Sequence, residues 1–491
     1  MSKTGRVILR RQLDTFDVTS LVVGSIIGAD IYVAAALGAK LVGPASLALW
    51  VVAGVMAIVI ALSFAYCATV LPRVGGPYSY VKEVAGQFNG FIVGWALLLA
   101  EWSSLAVFPV AFTQYFLSLV KFDEQSQIVL KGVFILAVFA TNIVGVKLAG
   151  RFNDSLTVGK LSPLLLLTVS GLLFIGLKPE AALSNFQPFL KGDGRSLGQA
   201  LVLIFWAYAG FELSTLPAGE IQKPRITIPK AIVMGMLIVT TFYLVTNFVI
   251  VGVVDQDTLA SSQAPLIVAT SKIFSSSLTL LQVGVLIVGI GALISIMGAD
   301  ESGTIGTSRL AFAMSVDGLL PHVFSRLHRH FRTPYIGLAL ICSVAFIASV
   351  IGTLTALINA SVFLLSVVYF STCLSAILLR RKRLSESHEF RWGRAVPTLG
   401  IVFSLLLMTQ VETQQILTAC FLLAIGIPLY AFFSPKKELP ELRDVFLSRD
   451  AILRRAYDQG EKFLAYPIRR INWLIYRAKR VSRAWHIQEN S

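Results

Sequence analysis

Apolar residues fall in runs near the ~20-residue length that crosses a bilayer, and the segments between them are short and rich in Lys and Arg. The runs occupy 18–40, 45–70, 88–119, 128–147, 155–177, 197–219, 230–254, 279–314, 335–352, 355–380, 396–411 and 413–433. Lipid offers no partner to a free backbone N–H or C=O, and a helix satisfies both internally. The pattern predicts an all-α polytopic membrane protein with twelve transmembrane helices. One stretch departs from it. Between Asp257 and Ser277, a half-apolar run from Leu266 to Phe274 follows Pro265. It is too short to cross and predicts a re-entrant or surface helix.

Loop charge sets the orientation. With the N-terminus inside, the inner segments hold Lys3, Arg6, Arg10 and Arg11; Arg73 and Lys82; Lys147 and Arg151; Lys223, Arg225 and Lys230; Arg326, Arg329 and Arg332; and the cluster from Arg380 to Arg394. The outer segments hold fewer: Lys40, Lys121, Lys131, Lys178, Lys191, Arg195 and Lys272. Cytoplasmic loops carry the excess of Lys and Arg, so both termini are expected in the cytoplasm and the protein in the cell membrane. The polar, basic N-terminus, 1–17, does not read as a cleavable leader.

Composition agrees. Residues are 55% hydrophobic and 14% charged, where soluble domains carry about 25% charged residues. The net charge of +15 sits in the loops, which argues against a nucleic-acid partner. The four cysteines, Cys67, Cys342, Cys373 and Cys420, all lie in apolar runs without metal or redox spacing. The five histidines, His322, His328, His330, His388 and His486, lie in inner loops or the tail. They do not cluster with carboxylates, and no nucleophile or phosphate-binding motif stands out. An enzyme, a metal and a cofactor are not expected. The tail, 434–491, carries 13 Lys or Arg and 7 acids. Ile468, Ile471, Leu474 and Ile475 share one face of a basic helix, which suits anionic lipid at the inner leaflet or a partner-bound tail.

Two runs are interrupted. The first reads GSIIGADIY, Gly24 to Tyr32, and the sixth reads FWAYAGFE, Phe205 to Glu212. Glycine weakens a helix interior by ~1 kcal/mol. An acid at the centre of a membrane helix costs roughly 2.5–3.5 kcal/mol. Asp30 and Glu212 each follow such a glycine. Runs one and six are equivalent positions in two five-helix halves, and paired broken helices point to a binding site in a transporter. A break offers N–H groups to a carboxylate and carbonyls to an ammonium or a cation. Ordinary close packing at glycine is the alternative.

The chain resembles the amino acid–polyamine–organocation (APC) superfamily, close to prokaryotic relatives of cationic amino acid transporters. The resemblance runs over about 12–433. It is carried by GSIIGADIY, VGGPYSYV (Val74 to Val81), GWALLLAEW (Gly94 to Trp102), FWAYAGFE, the run from Glu220 to Ile232, and Ser308-Arg309 followed by AMSVDGLLP (Ala313 to Pro321). It implies a LeuT-like fold of two inverted five-helix repeats, 18–177 and 197–380, plus two further helices over 396–433. It also implies alternating access. Carried over, Ile26, Gly28, Ala29 and Asp30 line the first break, and Phe205, Trp206, Ala209 and Gly210 the second, with Trp206 covering the substrate or simply packing. The family it resembles usually has glycine or serine where this chain has Asp30. An acid there either caps the second half-helix or handles substrate or proton, and it would favour an amine-rich substrate or a cation.

Further charges lie inside the runs. Glu101, mid-run in the third, is expected to serve the site or a relay, or a structural hydrogen bond. Asp300 and Glu301 are adjacent and therefore about 100° apart on a helix, so at most one is expected to face the core squarely, the other facing the first or fifth run, and one of the two could pair with Lys160. Lys160 either snorkels to the surface or, as in proton-coupled relatives that it resembles, stands where sodium sits in sodium-coupled ones. The expected function is proton-coupled secondary transport of amino acids. A polyamine or potassium carrier, an amino acid exchanger, and a channel or sensor on the same fold are the alternatives.

Overall fold

The computed structural model describes residues 13–73, 75–120, 124–144, 146–216, 221–331, 333–381 and 393–433, with the backbone alone over 124–125, 146–160 and at 381. The helices, in order, are α1 Thr15–Ile26, α2 Ala29–Val42, α3 Ser46–Val70, α4 Pro77–Ala85, α5 Gln87–Leu105 and α6 Val107–Leu119. Then come α7 Glu124–Val144, α8 Val146–Leu177, α9 Pro179–Asn185, α10 Gly194–Trp206, α11 Pro224–Val253 and α12 Gln256–Ser261. The last six are α13 Pro265–Ile273, α14 Leu278–Val316, α15 Tyr335–Ile351, α16 Leu354–Arg381, α17 Ala395–Gln410 and α18 Thr413–Phe433. No strand forms among the described residues.

Each of the twelve apolar runs holds a helix. Among the described residues, eight segments are long and apolar enough to cross a membrane, nine if the bent pair Leu161–Leu177 and Pro179–Asn185 is one span. Tyr335–Ile351 and Ala395–Gln410 are apolar but shorter. The first segment, Thr15–Val70, has 56 residues, more than twice a single crossing of about 20, and the 3-10 turn Gly43–Ala45 interrupts it. Leu136, Leu173, Leu237, Leu280 and Phe421 stand exposed on helix surfaces. Water would penalise them and lipid does not. The chain is a multi-pass membrane protein.

Short helices fill the connections. The predicted re-entrant or surface helix is α13. Its Leu266, Ala269 and Thr270 are buried, and it packs on α14, α8, α11 and α2. The α4 helix, inside the motif Val74 to Val81, buries Tyr78 and Tyr80. At the centre, Trp50 of α3, Tyr208 and Tyr243 of α11 form one mutually edge-on aromatic cluster with centroids 5.3–5.8 Å apart. Phe64, Phe211 and Tyr369 of α16 form a second, at 5.4–5.8 Å. These rings flank the interrupted sixth run. The tail and Lys3 to Arg11 lie outside the described residues.

Candidate functional site

The first run is broken where expected. A reciprocal capping box between Asp14 and Asp17 starts α1. The helix ends at Ile26, Ile27 is extended, and Gly28 precedes α2. Two freed carbonyls are met by hydroxyls from other helices. Tyr243 of α11 donates to the Ile26 carbonyl at 2.8 Å, and Ser295 of α14 donates to the Ile27 carbonyl at 3.3 Å. Gly28 is demanded by close approach: a Cβ there would meet Ala299 of α14 and lie 2.9 Å from the Phe108 ring.

Asp30 lies in the first turn of α2 and is 3% exposed. An acid there complements the helix dipole. The N-cap position belongs to Gly28, and Asp30 stands two residues inside it. Asp30 lies in electrostatic range of Tyr243.

The sixth run breaks after Trp206. Ala207, Tyr208 and Ala209 continue as tight turns, with N–H groups bonding three residues back at 2.9–3.0 Å. Gly210 follows at φ +117°, a left-handed conformation that suits glycine. The 3-10 turn Phe211–Thr215 comes next. Glu212, fully buried, folds back on the break and accepts the Gly210 N–H on both oxygens at 3.1 Å. Tyr369 donates its hydroxyl to the same carboxyl at 3.2 Å. The two breaks touch: Ser25 donates to the Gly210 carbonyl at 3.1 Å.

The predicted lining residues come together around these breaks, facing different neighbours. Ile26, Ala29, Phe205 and Trp206 are buried. Phe205 sets its ring 6.0 Å from Tyr369. Trp206, about 100° further round the helix, donates its indole N–H to Ser104 at 3.0 Å and lies 6.3 Å from Phe108. Ala209 is at the margin of the core. Glu101 is 5% exposed and within electrostatic range of Glu212 and Tyr369.

Asp300 and Glu301 are both buried, at 1% exposure each. Burial of both is compatible with one facing the core and the other the first or fifth run. Its cause is the packing of α14, which is enclosed by α1, α5, α6, α8 and α15. Asp300 lies in electrostatic range of Cys342 on α15, and neither of its oxygens has a hydrogen-bond partner among the described residues. Lys160 belongs to α8, but its side chain is outside the described residues. The α8 and α14 backbones meet one turn away, where Pro163 packs directly on Gly291.

Ion pairs lie toward the ends of the bundle. Lys82 of α4 meets Asp317, just past α14, at 2.7 Å, and Tyr78 donates to the same carboxyl at 2.6 Å. Burial and the Asp317 carboxylate hold the Tyr78 phenol above its ordinary range, so it remains a donor. At the other end Lys191 pairs with Asp257 at 3.1 Å and Lys272 with Asp255. The hydrogen bonds from Lys272 and Thr258 hold the Asp255 carboxyl well below the usual range. Among the described residues, no cluster of His, Cys, Asp and Glu could hold a metal.

Sequence reasoning missed Tyr243, Ser295, Ser104 and Tyr369. Each is a lone hydroxyl in an apolar run, and its partner lies on another helix. Glu212 was legible from its motif.

A profile of the amino acid permease family matches residues 13–439, a stretch that contains both breaks and every buried acid named above. The branched-chain amino acid permease of Bacillus subtilis is 27% identical over 465 residues, covering 88% of this chain and 95% of that protein. The serine/threonine exchanger of the same organism is 25% identical over 394 residues, covering 78% and 86%. The human large neutral amino acids transporter small subunit 2 is 27% identical over 442 residues, covering 87% and 81%. The chain belongs to the amino acid permease family.

Proposed function

We propose that the chain carries neutral amino acids across the cell membrane by alternating access around the two breaks. On this reading it crosses twelve times, with both termini cytoplasmic. Two inverted five-helix repeats place Ile26 to Asp30 opposite Phe205 to Gly210. The carrying observation is the contact of the breaks: Ser25 reaches the Gly210 carbonyl, so unwound backbone from both helices faces one place. Each of the carbonyls freed there keeps a second lone pair for an ammonium, and the start of α2 suits a carboxylate.

Side-chain preference follows from the walls. Ile26, Phe205, Trp206, Ala209 and Phe108 are apolar, and the Glu212 oxygens are engaged by Gly210 and Tyr369. A cationic side chain would find that carboxyl already in use. Relatives named for branched-chain, serine/threonine and large neutral amino acids support the same choice.

Asp300, Glu301 and Lys160 are the proposed proton-coupling groups. The supporting observation is the burial of both acids on α14, which packs on α8. A buried charge must be matched, and a proton or the Lys160 ammonium can match it.

Counterflow of radiolabelled leucine into proteoliposomes tests transport. Internal leucine should accelerate uptake, and external isoleucine or valine should compete. Lysine, spermidine and potassium should not. Competition by those cations without competition by isoleucine would favour the second reading, a polyamine or potassium carrier, which rests on Asp30 at the start of α2.

A further inference from the structure

At one end of the bundle α3, α16 and α17 meet around a small hollow. It is lined by Tyr66 of α3, Ile377 and Arg380 of α16, Gly393 and Arg394 just before α17, and Pro397 within it, among others. Two cations reach it from different helices. Gly393 takes φ +60°, a left-handed conformation that suits glycine, and a Cβ there would lie 3.6 Å from the Arg380 guanidinium. The next residue is Arg394. Both arginines are exposed, and neither has an ion pair among the described residues. Tyr66 lies in electrostatic range of Arg380, and a phenol hydroxyl can donate to an anion.

Two guanidinium groups brought to one hollow repel each other unless an anion lies between them. No acid is among the lining residues. Guanidinium donors pair well with the oxygens of a phosphate. The end of α16 and the start of α17 both lie here, and their partial charges of opposite sign offset one another. Selection therefore rests on the two side chains and not on the helix ends.

Apolar surface borders the hollow. Leu374, one turn before Ile377, and Leu405, eleven residues after Arg394, are exposed. Eleven residues make about three turns, so Leu405 stands on the Arg394 face roughly 16 Å along the helix. One leaflet of hydrocarbon is about 15 Å deep, half of the ~30 Å core. A phosphate at the arginines with acyl chains along this face has the dimensions of a phospholipid in one leaflet. A headgroup ammonium would find no acid in the hollow, so a headgroup of net negative charge is favoured.

We propose that this hollow binds the phosphate of an anionic phospholipid, which Arg380 and Arg394 hold between α16 and α17 against α3. The site needs the chain to lie in a membrane and goes beyond the proposed transport function. Failure of leucine counterflow would leave it standing.

Unfolding of the purified full-length protein in detergent, titrated with dioleoylphosphatidylglycerol, tests this. A ligand of the folded state raises the unfolding temperature by mass action. Wild type should respond, and dioleoylphosphatidylcholine should give no comparable rise. Arg380→Gln and Arg394→Gln should each need roughly tenfold more lipid for the same rise. Without lipid, both should unfold where wild type does. Arg225→Gln, at an exposed arginine of α11, should respond like wild type. The basic tail, 434–491, is common to all these proteins, so lipid held there does not distinguish them. Replacing both arginines by lysine keeps the charge and should retain most of the response. An equal lipid response in wild type and both glutamine variants overturns the site. Unfolding temperatures lowered equally with and without lipid would make the arginines structural and overturn it as well. A rise given by inorganic phosphate alone, and lost in the glutamine variants, would assign a soluble anion and overturn the lipid.

Discussion

Ser25 and Gly210 lie 185 residues apart in the chain, and the serine hydroxyl donates to the glycine carbonyl at 3.1 Å. That bond fixes one interrupted helix against the other. A Cβ on Gly210 would stand 2.9 Å from the Ser25 carbonyl oxygen, and φ is +117°. Backbone on one side and left-handed conformation on the other leave no inexpensive relief. Gly210→Ala is expected to destabilise by about 1–3 kcal/mol and to abolish leucine counterflow. Ser25→Ala removes a single hydrogen bond worth about 1 kcal/mol and should keep measurable counterflow. Thermal unfolding in detergent, read beside counterflow, separates the two.

Glu212 accepts from the Gly210 N–H and from Tyr369. Glu212→Gln replaces one acceptor by an amide donor that faces the Gly210 N–H. Leaving that N–H poorly satisfied costs about 1–3 kcal/mol, so the substitution should lower the unfolding temperature and stop transport. Tyr369→Phe deletes one bond of about 0.5–1.5 kcal/mol, so uptake should fall by no more than roughly tenfold. Equal loss in both variants would show that the hydroxyl, and not the held backbone, is the essential part.

The Lys82–Asp317 pair joins α4 to the end of α14 at 2.7 Å, with side chains about one third exposed. Exposed pairs contribute about 0–1 kcal/mol and weaken with salt, enough to bias two conformations by up to roughly fivefold. Lys82→Ala should increase labelling of a cysteine introduced behind this pair. Raising ionic strength should do the same to wild type, and the exchange Lys82→Asp with Asp317→Lys should restore protection. Labelling unchanged by Lys82→Ala would remove this pair from control of access at that end.

Much of this was legible in the sequence, for identifiable reasons. Each apolar run marked helix because burial in lipid leaves a long, contiguous record. The breaks were legible because Gly28 and Gly210 sit beside acids, where uninterrupted helix is unfavourable. The hydroxyls that stabilise the breaks left no such record. Tyr243 and Ile26 are 217 residues apart, and Ser295 and Ile27 are 268 apart. One hydroxyl in an apolar run looks alike whether it bonds its own helix or another. The short α4 helix went unread because nine residues carry too little periodicity.

Asp255 is half exposed and pairs with Lys272, and its carboxyl is held below its ordinary range by hydrogen bonds from Lys272 and Thr258. A depressed folded-state pKa contributes stability above the unfolded value of about 3.9. That contribution declines as pH falls toward the folded value. Screening keeps it small. Between pH 7 and pH 3, Lys272→Gln should therefore lose less thermal stability than wild type, and the two unfolding temperatures should converge at the acid end. A gap that widens on acidification would reverse the assignment.

The proposed proton coupling can be tested apart from binding through Asp300. Its two oxygens are buried without a hydrogen-bond partner among the described residues, and Pro163 of α8, one turn from Lys160, packs on the same helix at Gly291. A carboxyl so placed must be matched by a cation or a proton, and a group that exchanges one for the other during the cycle couples transport to protons. Asp300→Asn keeps the size and removes the exchange. It should preserve counterflow, which needs no driving gradient, and lose accumulation of leucine driven by an inward proton gradient. Lys160→Ala should behave alike if the two act as a pair, and the double variant should be no worse than either single one. Full gradient-driven accumulation in both single variants, measured in the same proteoliposomes, would falsify this assignment. Loss of counterflow in Asp300→Asn would place the carboxyl in substrate binding.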